Sequence, residues 1–256
     1  MKKLLLIIFL TLSLLHASKP LNVGMELAYP PFEMSQKDGT PSGISVDFAK
    51  ALGEYLGREV IIKNIAWDGL IPSLKTKKVD IIISSMTITE QRSKTVLFSK
   101  PYARANLAIL THKNSNILKI DDLNQKGKKV AVKKGTSGHI YAMSNLQNAS
   151  LLIFDKENSA VLEVLQKKAD GFLYDQLTIF RNWKNHEDKS VALLEPFQEN
   201  PEEWGVAMRK DDVELKNRID DFIELAKKDG TFDRLAKKYL TEAKKTFEEL
   251  GIPFFF

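Results

Sequence analysis

The chain of 256 residues is 43% hydrophobic and 28% charged, with 9 Pro and 13 Gly, a composition that excludes a disordered or collagen-like protein. It contains no cysteine, which excludes a disulfide scaffold, a thiolate metal cluster, a cysteine nucleophile and a lipid anchor on an N-terminal cysteine. The formal net charge of +5 is spread along the chain. Nucleic-acid binding usually needs a clustered basic patch, so no nucleic-acid partner is expected.

Residues 1–18 have the pattern of a secretory signal peptide. Lys2 and Lys3 precede an apolar run that extends from Leu4 to Leu15. A positive start, about a dozen apolar residues and a small residue at the exit are typical of a cleaved leader, whereas a membrane span needs about 20 apolar residues. Cleavage is expected near Ala17 or Ser18. No later segment is predicted to span a membrane, so we expect an exported, soluble mature protein.

The first part of the mature chain alternates between strands and helices. The predicted elements are a strand at Leu21–Leu27, a helix at Ser45–Leu56, a strand at Val60–Ile65, a helix at Asp68–Lys75 and a strand at Val79–Ser84. The last strand is apolar on both faces, a pattern that favours a parallel strand covered by helices on both sides.

The alternation then begins again. Strands are predicted at Leu107–Thr111, Lys129–Val132, Leu151–Phe154 and Gly171–Tyr174, with helices near His139–Asn148, Ser159–Lys167 and Gln176–Trp183. Two such series predict an α/β protein with two lobes.

The pattern at the end of the chain predicts helices without alternating strands. After a strand at Gly205–Met208, helices are predicted at Asp212–Lys228 and Thr231–Leu240. This pair adds no strand and is expected to pack on an existing sheet. A charged tail follows and ends in Phe254–Phe256, which we expect to dock, since exposed aromatic patches are uncommon on soluble monomers.

Four stretches together point to a family. They are residues 23–32 (VGMELAYPPF), 67–74 (WDGLIPSL), 80–92 (DIIISSMTITEQR) and 127–137 (GKKVAVKKGTS). In this order and spacing they resemble the periplasmic polar-amino-acid binding proteins of ABC importers, extracellular solute-binding protein family 3. This group includes the histidine, glutamine, arginine and lysine receptors. The resemblance extends from about Leu21 to Leu240.

The resemblance implies a two-lobed periplasmic binding protein of type II. Each lobe is expected to be a mostly parallel sheet flanked by helices, and two hinge strands join the lobes. On that pattern the first lobe is 19–101 plus 205–256, the second is 107–199, and the hinge crossings are 102–106 and 200–204. The family also implies a periplasmic monomer without a cofactor. Its expected partners are a free amino acid, trapped between the lobes, and an ABC permease.

One group of residues is expected to bind the carboxylate of the amino acid. Arg92 alone would be a solvated surface arginine, but it stands where the family keeps its carboxylate-binding arginine, and a guanidinium fork pairs bidentately with a carboxylate. Ser84 ends the predicted strand Val79–Ser84, and Ser85 and Thr87 follow it. Open α/β sheets bind ligands at this C-terminal edge of their strands. Their hydroxyl and backbone groups are expected to complete the carboxylate and ammonium contacts.

The second lobe is expected to supply the remaining contacts to the common part of an amino acid. Thr136 and Ser137 lie in a Gly-Thr-Ser-Gly turn before a helix, whose free N–H groups attract an anion. Asp175 stands where the family places the carboxylate that receives the ligand ammonium. It is equally suited to cap the following helix, and the two roles are compatible.

The family pattern also assigns specificity residues. Tyr29 and Trp67 match the aromatic positions that sandwich the ligand side chain, and Glu26 matches the position that meets its tip. An aromatic slot that ends in a carboxylate suits a long aliphatic cation. The expected ligand is therefore a basic amino acid, lysine before arginine and ornithine, captured by hinge closure. Glutamine stays open as an alternative, since its amide can hydrogen-bond to Glu26, and so does a Glu26 that points to solvent.

Two other classes of protein are alternatives to a receptor. Cyclohexadienyl and arogenate dehydratases use the same fold and the same arginine, and they need a general acid. These enzymes carry a Glu about one helical turn beyond the Asp175 position, and Thr178 stands there in this chain, which disfavours the lyase. Glu26 is an alternative acid, so the class stays open. A sensor module would need a membrane span and signalling domains, and the chain shows neither pattern.

The remaining candidates are interpreted as structural. Trp204 is expected to pack at the hinge. His112, His139 and His186 lack metal-ligand spacing and are expected at the surface, so no metal site is predicted. The lysine-rich stretch Lys126–Lys134 is expected to be a solvated face.

Overall fold

The computed structural model describes residues 19–252. The predicted signal peptide and the Phe254–Phe256 cluster lie outside the described residues. None of the helices between 19 and 252 combines the length and the apolar character that crossing a membrane requires.

The described chain contains alternating strands and helices. The strands are β1 Leu21–Met25, β2 Ala28–Tyr29, β3 Glu33–Ser35, β4 Pro41–Ser42, β5 Val60–Asn64, β6 Ile81–Ile82, β7 Leu97–Phe98, β8 Ala103–Ala105, β9 Leu107–His112, β10 Lys129–Lys133, β11 Ser150–Phe154, β12 Gly171–Asp175, β13 Ser190–Leu193, β14 Glu202–Trp204 and β15 Ala207–Met208. The α-helices are α1 Ile44–Leu56, α2 Leu70–Lys75, α3 Glu90–Ser93, α4 Ser137–Asn145, α5 Glu157–Leu165, α6 Gln176–Asn185, α7 Val213–Lys228, α8 Thr231–Tyr239 and α9 Thr241–Glu249. Two 3₁₀ turns occupy Trp67–Gly69 and Ile120–Leu123.

The first lobe is built on a five-stranded sheet with the order β5-β1-β6-β15-β7. β1 pairs in parallel with β5 and β6, whereas β15 is antiparallel to β6 and β7. The chain therefore returns from the second lobe to complete the first sheet. On one side the aromatic ring of Phe48 in α1 packs against Phe222 of α7 and Phe232 of α8, with ring centroids 5.4 and 5.6 Å apart.

The second lobe contains the sheet β11-β10-β12-β9-β13. β10 is parallel to β11 and β12, and β9 is antiparallel to β12 and β13. Helices α4, α5 and α6 pack on this sheet. The protein is thus an α/β protein with two sheet-containing lobes, as the sequence predicts.

A separate antiparallel ribbon joins the lobes. β8 pairs with β14, so that Ala103 lies opposite Trp204 and Ala105 lies opposite Glu202. Both chain crossings run through this ribbon, which places it at the base of the cleft. The numerical lobe and hinge boundaries expected from the family stay a prediction.

The C-terminal region contains one helix more than predicted. The predicted pair α7 and α8 packs against α1, and its buried residues, such as Ile219, belong to the same apolar core as Met208 of the first sheet. A third helix, α9, occupies part of the expected tail. Its Phe247 is fully buried and packs edge-on against Phe180 of α6 in the second lobe, with ring centroids 5.8 Å apart. The apolar side chain of Phe247 supplies the burial that turns a charged segment into a docked helix.

Two predictions about polar residues are wrong. Lys133 is 4% exposed and is not part of a solvated face, because it ends the buried strand β10 and faces the cleft. His112 is 8% exposed and is not a surface residue, because it lies in β9, which has a neighbouring strand on each side and is buried along its length. A buried lysine requires a partner for its charge, and the partner of Lys133 identifies part of the site.

Candidate functional site

A cavity lies between the two lobes. All ten residues selected from the sequence line it, namely Glu26, Tyr29, Trp67, Ser84, Ser85, Thr87, Arg92, Thr136, Ser137 and Asp175. Trp204, expected to pack at the hinge, also lines it, as do Glu33, Leu107, Tyr174 and Glu202. The cavity thus combines charged groups of both signs with aromatic walls. Whether the ten residues contact a ligand stays a prediction.

Arg92 is held rigidly at the border between the lobes. It lies in the single-turn helix α3, which Thr89 caps by accepting a hydrogen bond from the Arg92 backbone N–H. Its Nη1 donates to the carbonyl of Thr87 (2.7 Å), and its Nη2 donates across the cleft to the carbonyl of Gly135 (2.9 Å). Burial lowers the pKa of the guanidinium to about 10, so Arg92 is cationic at neutral pH. A buried, oriented cation of this kind is suited to bind a carboxylate.

The serines at the end of β6 are fixed by a buried carboxyl group that the sequence analysis did not select. Ser84 and Ser85 donate to Oε1 and Oε2 of Glu33, at 3.2 and 3.1 Å. Ser45 donates to the same Oε2 at 2.5 Å. Burial raises the pKa of Glu33 to about 8, with the three hydroxyls opposing the rise. Ser85 has a φ of 48°, an uncommon conformation for a residue with a side chain, and its bond to Glu33 helps to hold it.

A second unselected carboxylate comes from the hinge. Glu202 in β14 accepts a hydrogen bond from the Thr87 hydroxyl at 3.0 Å, and the Ser137 hydroxyl also donates to it. Burial raises the pKa of Glu202, whereas these hydroxyls, Gln198 and the charge of Arg92 lower it. A carboxylate of the protein therefore lies among groups that suit the carboxylate of an amino acid.

The turn before α4 brings the second lobe close to the first. Gly135 has a φ of +70°, a conformation that favours glycine, and Gly138 lies so close to β12 that an added Cβ would be 2.6 Å from the carbonyl of Leu173. Thr136 caps α4, and its hydroxyl also donates to the carbonyl of Lys133 at 2.7 Å. The Thr136 hydroxyl is thus used locally, while Ser137 at the start of α4 faces the cavity.

Asp175 ends β12 and caps α6. Its Oδ1 accepts a hydrogen bond from the Thr178 N–H at 3.0 Å, whereas its Oδ2 is buried with no hydrogen-bond partner among the described residues. Burial raises the pKa of Asp175, and the Tyr29 hydroxyl from the first lobe and the Thr178 N–H oppose that rise. The cap predicted from the sequence is therefore present. One carboxylate oxygen remains for a cationic group in the cavity.

Glu26 of the cavity wall takes part in an ion pair between the lobes. Nζ of Lys133 in β10 contacts Oε2 of Glu26, which follows β1. Glu26 also accepts a long hydrogen bond of 3.4 Å from the backbone N–H of Trp67. Lys133 Nζ and Arg92 Cζ lie 5.9 and 5.2 Å from the centroid of the Trp67 ring. Glu26 thus points into the cleft, where it is paired with a residue of the protein.

Another part of the cavity wall is aromatic. Tyr29 stacks on Phe32 with ring centroids 5.4 Å apart, and its ring meets Tyr174 and Trp204 edge-on at 5.9 and 6.2 Å. Trp204 packs against Phe32 at 4.9 Å, in keeping with the predicted role at the hinge. The wall therefore joins residues of β2, the hinge and the second lobe. It supplies apolar surface for the stem of a side chain.

Sequence signals for the three unselected charged residues are present but weak. Lys133 is the last residue of β10, and in open α/β sheets the C-terminal ends of strands form the ligand crevice. Glu202 precedes Trp204 by two positions in β14, so strand alternation places both on one face. Glu33 directly follows the buried Phe32. Position in the fold, and not residue type, identifies all three.

The architecture and the cavity together define a class of protein. Two lobes joined by a two-stranded hinge enclose a cavity with a buried guanidinium and a buried carboxylate on opposite lobes. These two groups complement the carboxylate and ammonium of a free amino acid. Such a molecule is suited to bind a small ligand between its two lobes.

The sequence comparisons identify the family. The family model for bacterial extracellular solute-binding proteins, family 3, matches residues 21–242, and the chain belongs to this family. The L-cystine-binding protein TcyJ of Escherichia coli strain K12 is 34% identical over 219 residues, which cover 85% of this chain and 81% of the relative. The L-arginine-binding protein of Pseudomonas aeruginosa is 30% identical over 253 residues, 94% of this chain and 97% of the relative.

Solved structures agree with this assignment. An ancestral arginine-binding protein bound to arginine is 34% identical with a TM-score of 0.80, covering 88% of this chain and 100% of that one. A putative binding component of an ABC transporter from Wolinella succinogenes, complexed with lysine, is 33% identical with a TM-score of 0.80, covering 88% and 97%. An ancestral amino-acid-binding protein described as a precursor of cyclohexadienyl dehydratase is 37% identical with a TM-score of 0.77, covering 87% and 95%. The chain is thus an amino-acid-binding type of solute-binding protein.

Proposed function

We propose that this protein is the periplasmic receptor of an ABC importer, which captures a basic L-amino acid by closure of its lobes and delivers it to the permease. Lysine is the first candidate, followed by arginine and ornithine. The protein acts as a monomer without a cofactor and without catalysis, and residues 1–18 direct its export.

The observation that carries this proposal is the placement of two opposite charges on opposite lobes. Arg92 of the first lobe and Asp175 of the second line the same cavity, and Oδ2 of Asp175 has no hydrogen-bond partner among the residues described. An amino acid contacts both groups only when the lobes are closed. Its differential affinity for the closed form then shifts the population toward closure.

Two observations support a basic side chain on the ligand, namely the position of Glu26 and the ligands of similar proteins. Glu26 points into the cleft beside the Trp67 ring, a combination that attracts an aliphatic cation. An arginine-binding relative and a solved structure with lysine are among the similar proteins. Lys133 favours glutamine as a second candidate, because an amide carbonyl accepts a hydrogen bond from Lys133 while the amide N–H donates to Glu26.

The lyase has one observation in its favour. Glu33 lines the cavity, and with a pKa raised to about 8 it is a carboxylic acid that holds a proton at neutral pH. Thr178, at the position expected for the acid, is 1% exposed and offers no titratable proton. Glu33 would therefore be the proton donor, and turnover of prephenate or arogenate is the test.

Calorimetric titration tests these assignments in one series. Protein that has been unfolded, freed of ligand and refolded is titrated with the common amino acids, ornithine, prephenate and arogenate. Tight binding of lysine, arginine or ornithine supports the proposal, and a preference for glutamine keeps the receptor and changes its ligand. If no amino acid binds and the protein converts prephenate or arogenate, the protein is a lyase and the receptor proposal is wrong.

A further inference from the structure

Lys133 is a buried cation at the point where the two lobes meet. Its side chain is 5% exposed, that of its partner Glu26 is 15% exposed, and the pair joins the second lobe to the first. Its Nζ also lies over the Trp67 ring, 5.9 Å from the centroid. The ammonium group therefore has a carboxylate and an aromatic face as its immediate surroundings.

These surroundings are the ones that the proposed function assigns to the side-chain cation of the ligand. The ammonium group of Lys133 and that of free lysine are chemically the same, and one carboxylate in a narrow slot cannot satisfy both fully. We propose that Lys133 is a specificity-determining residue that acts as an internal substitute for the cationic end of the ligand. It pairs with Glu26 to hold the lobes closed, and a cationic side chain must displace it.

The inference rests on the proposed function, and the other contacts between the lobes support it. Lys134 and Asp68 form a second ion pair across the cleft, but their N–O distance is 3.8 Å and their side chains are 56% and 61% exposed. Solvent and salt screen such a pair, so it contributes little to closure. Among the described residues, Lys133–Glu26 is the cross-cleft ion pair shielded from water.

Two further polar contacts across the cleft, within residues 19–252, use backbone acceptors. Arg92 donates to the carbonyl of Gly135, and Arg181 in α6 donates to the carbonyl of Pro30. They do not depend on the side chain of the ligand, so they favour closure around any amino acid. The contact of Lys133 with Glu26 alone distinguishes cationic from neutral side chains.

Competition at Glu26 has a measurable consequence for selectivity. A closed form in which Lys133 occupies Glu26 is not competent to bind a cationic side chain, so the apparent affinity for lysine falls with the population of that form. A neutral amide can use Lys133 as a donor without displacing it. Removing the charge of Lys133 is therefore expected to strengthen lysine binding and to weaken or leave unchanged glutamine binding.

The experiment compares Lys133→Met with Lys134→Met. Both variants lose one lysine charge from adjacent positions and keep an unbranched side chain, but only the first loses the buried pair. We expect Lys133→Met to bind lysine and ornithine about ten- to a hundredfold more tightly than the wild type by calorimetry, the range of one charge-assisted contact. Lys134→Met is expected to stay within about threefold, as exposed pairs do.

Small-angle scattering of the ligand-free proteins gives a readout that does not depend on the ligand. Lys133→Met is expected to have a larger radius of gyration than the wild type, because the lobes open when the pair is lost, whereas Lys134→Met is not. An unchanged radius together with unchanged or weaker lysine binding would overturn the proposal. Loss of glutamine binding without a gain for lysine would make Lys133 an ordinary ligand contact, which also overturns it.

The single change Lys133→Met leaves Glu26 without its partner and can impair folding. A double variant tests the proposal without that unpaired charge. Glu26→Gln combined with Lys133→Met removes both charges, and its ligand-free lobes are also expected to open. Failure of the proposed function has a separate signature, because the wild type would then bind no amino acid. The scattering comparison still decides the role of Lys133 in that case, with an unchanged radius contradicting it.

Discussion

The Thr87 hydroxyl donates a hydrogen bond of 3.0 Å to Oε2 of Glu202, so a hinge carboxylate lies among the groups proposed to receive the carboxylate of the ligand. Ser137 donates to the same side chain, and the charge of Arg92 acts on it. A carboxylate on the ligand and a carboxylate on Glu202 repel each other in this confined space. The hinge thus contributes charge to the site as well as connecting the lobes.

Glu202→Gln is therefore expected to raise the affinity for every amino acid by about tenfold, because the repulsion disappears while the contacts of Thr87 and Ser137 are kept. The pKa of Glu202 is raised by burial, so wild-type affinity should increase as the pH falls through that pKa, and the variant should lose this dependence. Calorimetric titration at several pH values measures both effects. Glu203→Gln, at a half-buried neighbouring position paired with Arg104, is the control. Weaker binding by Glu202→Gln would assign Glu202 to the ammonium of the ligand.

Arg92→Ala should lower the affinity for all amino acids by at least about a hundredfold, since every amino acid shares the carboxylate that Arg92 is proposed to bind. The loss should also remove stabilisation by ligand, which amounts to about 4 kcal/mol at a ligand concentration a thousand times the Kd. Titration and chemical unfolding with and without ligand measure these quantities. Arg104→Ala, whose side chain is 66% exposed, should behave as the wild type. Retained affinity in Arg92→Ala would remove Arg92 from the binding site.

Glu26→Gln should weaken lysine, arginine and ornithine by roughly ten- to a hundredfold, because it removes their counter-charge and leaves the cation of Lys133 in place. Glutamine should change by less than about threefold, since a neutral amide still hydrogen-bonds to its side chain. Competition titrations give the ranking of the ligands. Asp68→Asn removes an exposed carboxylate that faces Lys134 across the same cleft and is the matched control. An unchanged ranking would show that Glu26 does not select the ligand.

Glu33 should make the stability of the ligand-free protein depend on pH. Burial raises its pKa from 4.5 to about 8, so the folded state binds a proton that the unfolded state releases between these values. This contribution is fully present below about pH 4.5 and is lost as the pH rises through about 8. The free energy of unfolding should fall by about 5 kcal/mol over that interval, since each unit of pKa shift corresponds to about 1.4 kcal/mol.

Glu33→Gln should abolish this dependence, because an amide fills the same volume without titrating. Urea unfolding at pH 5 and at pH 8 measures the difference for the wild type and the variant. Glu54→Gln, at an exposed position of α1, is the control for a simple loss of charge. Parallel pH profiles for the wild type and Glu33→Gln would mean that Glu33 is ionised throughout.

Local patterns predicted most of the elements that form the two lobes. The helix expected at Gln176–Trp183 is present as α6, and Asp175 caps it as its residue type and position predict. The strand expected at Val79–Ser84 is present only as β6, and Ser84 beyond its end lines the cavity. The helix α9 was not predicted, because its burial depends on a contact between Phe247 and Phe180, which is far away in the sequence.

The sequence by itself determined the two α/β series, because strand and helix patterns are local properties of the chain, and the resemblance of its motifs to the family selected ten of the residues that line the cavity. Only the tertiary structure decided how the charges in that cavity are paired. Lys133 and Glu26 are separated by more than one hundred positions in sequence and meet because the fold places the two lobes side by side. Whether a charge is solvated or buried depends on what the fold brings beside it, and no local pattern contains that information.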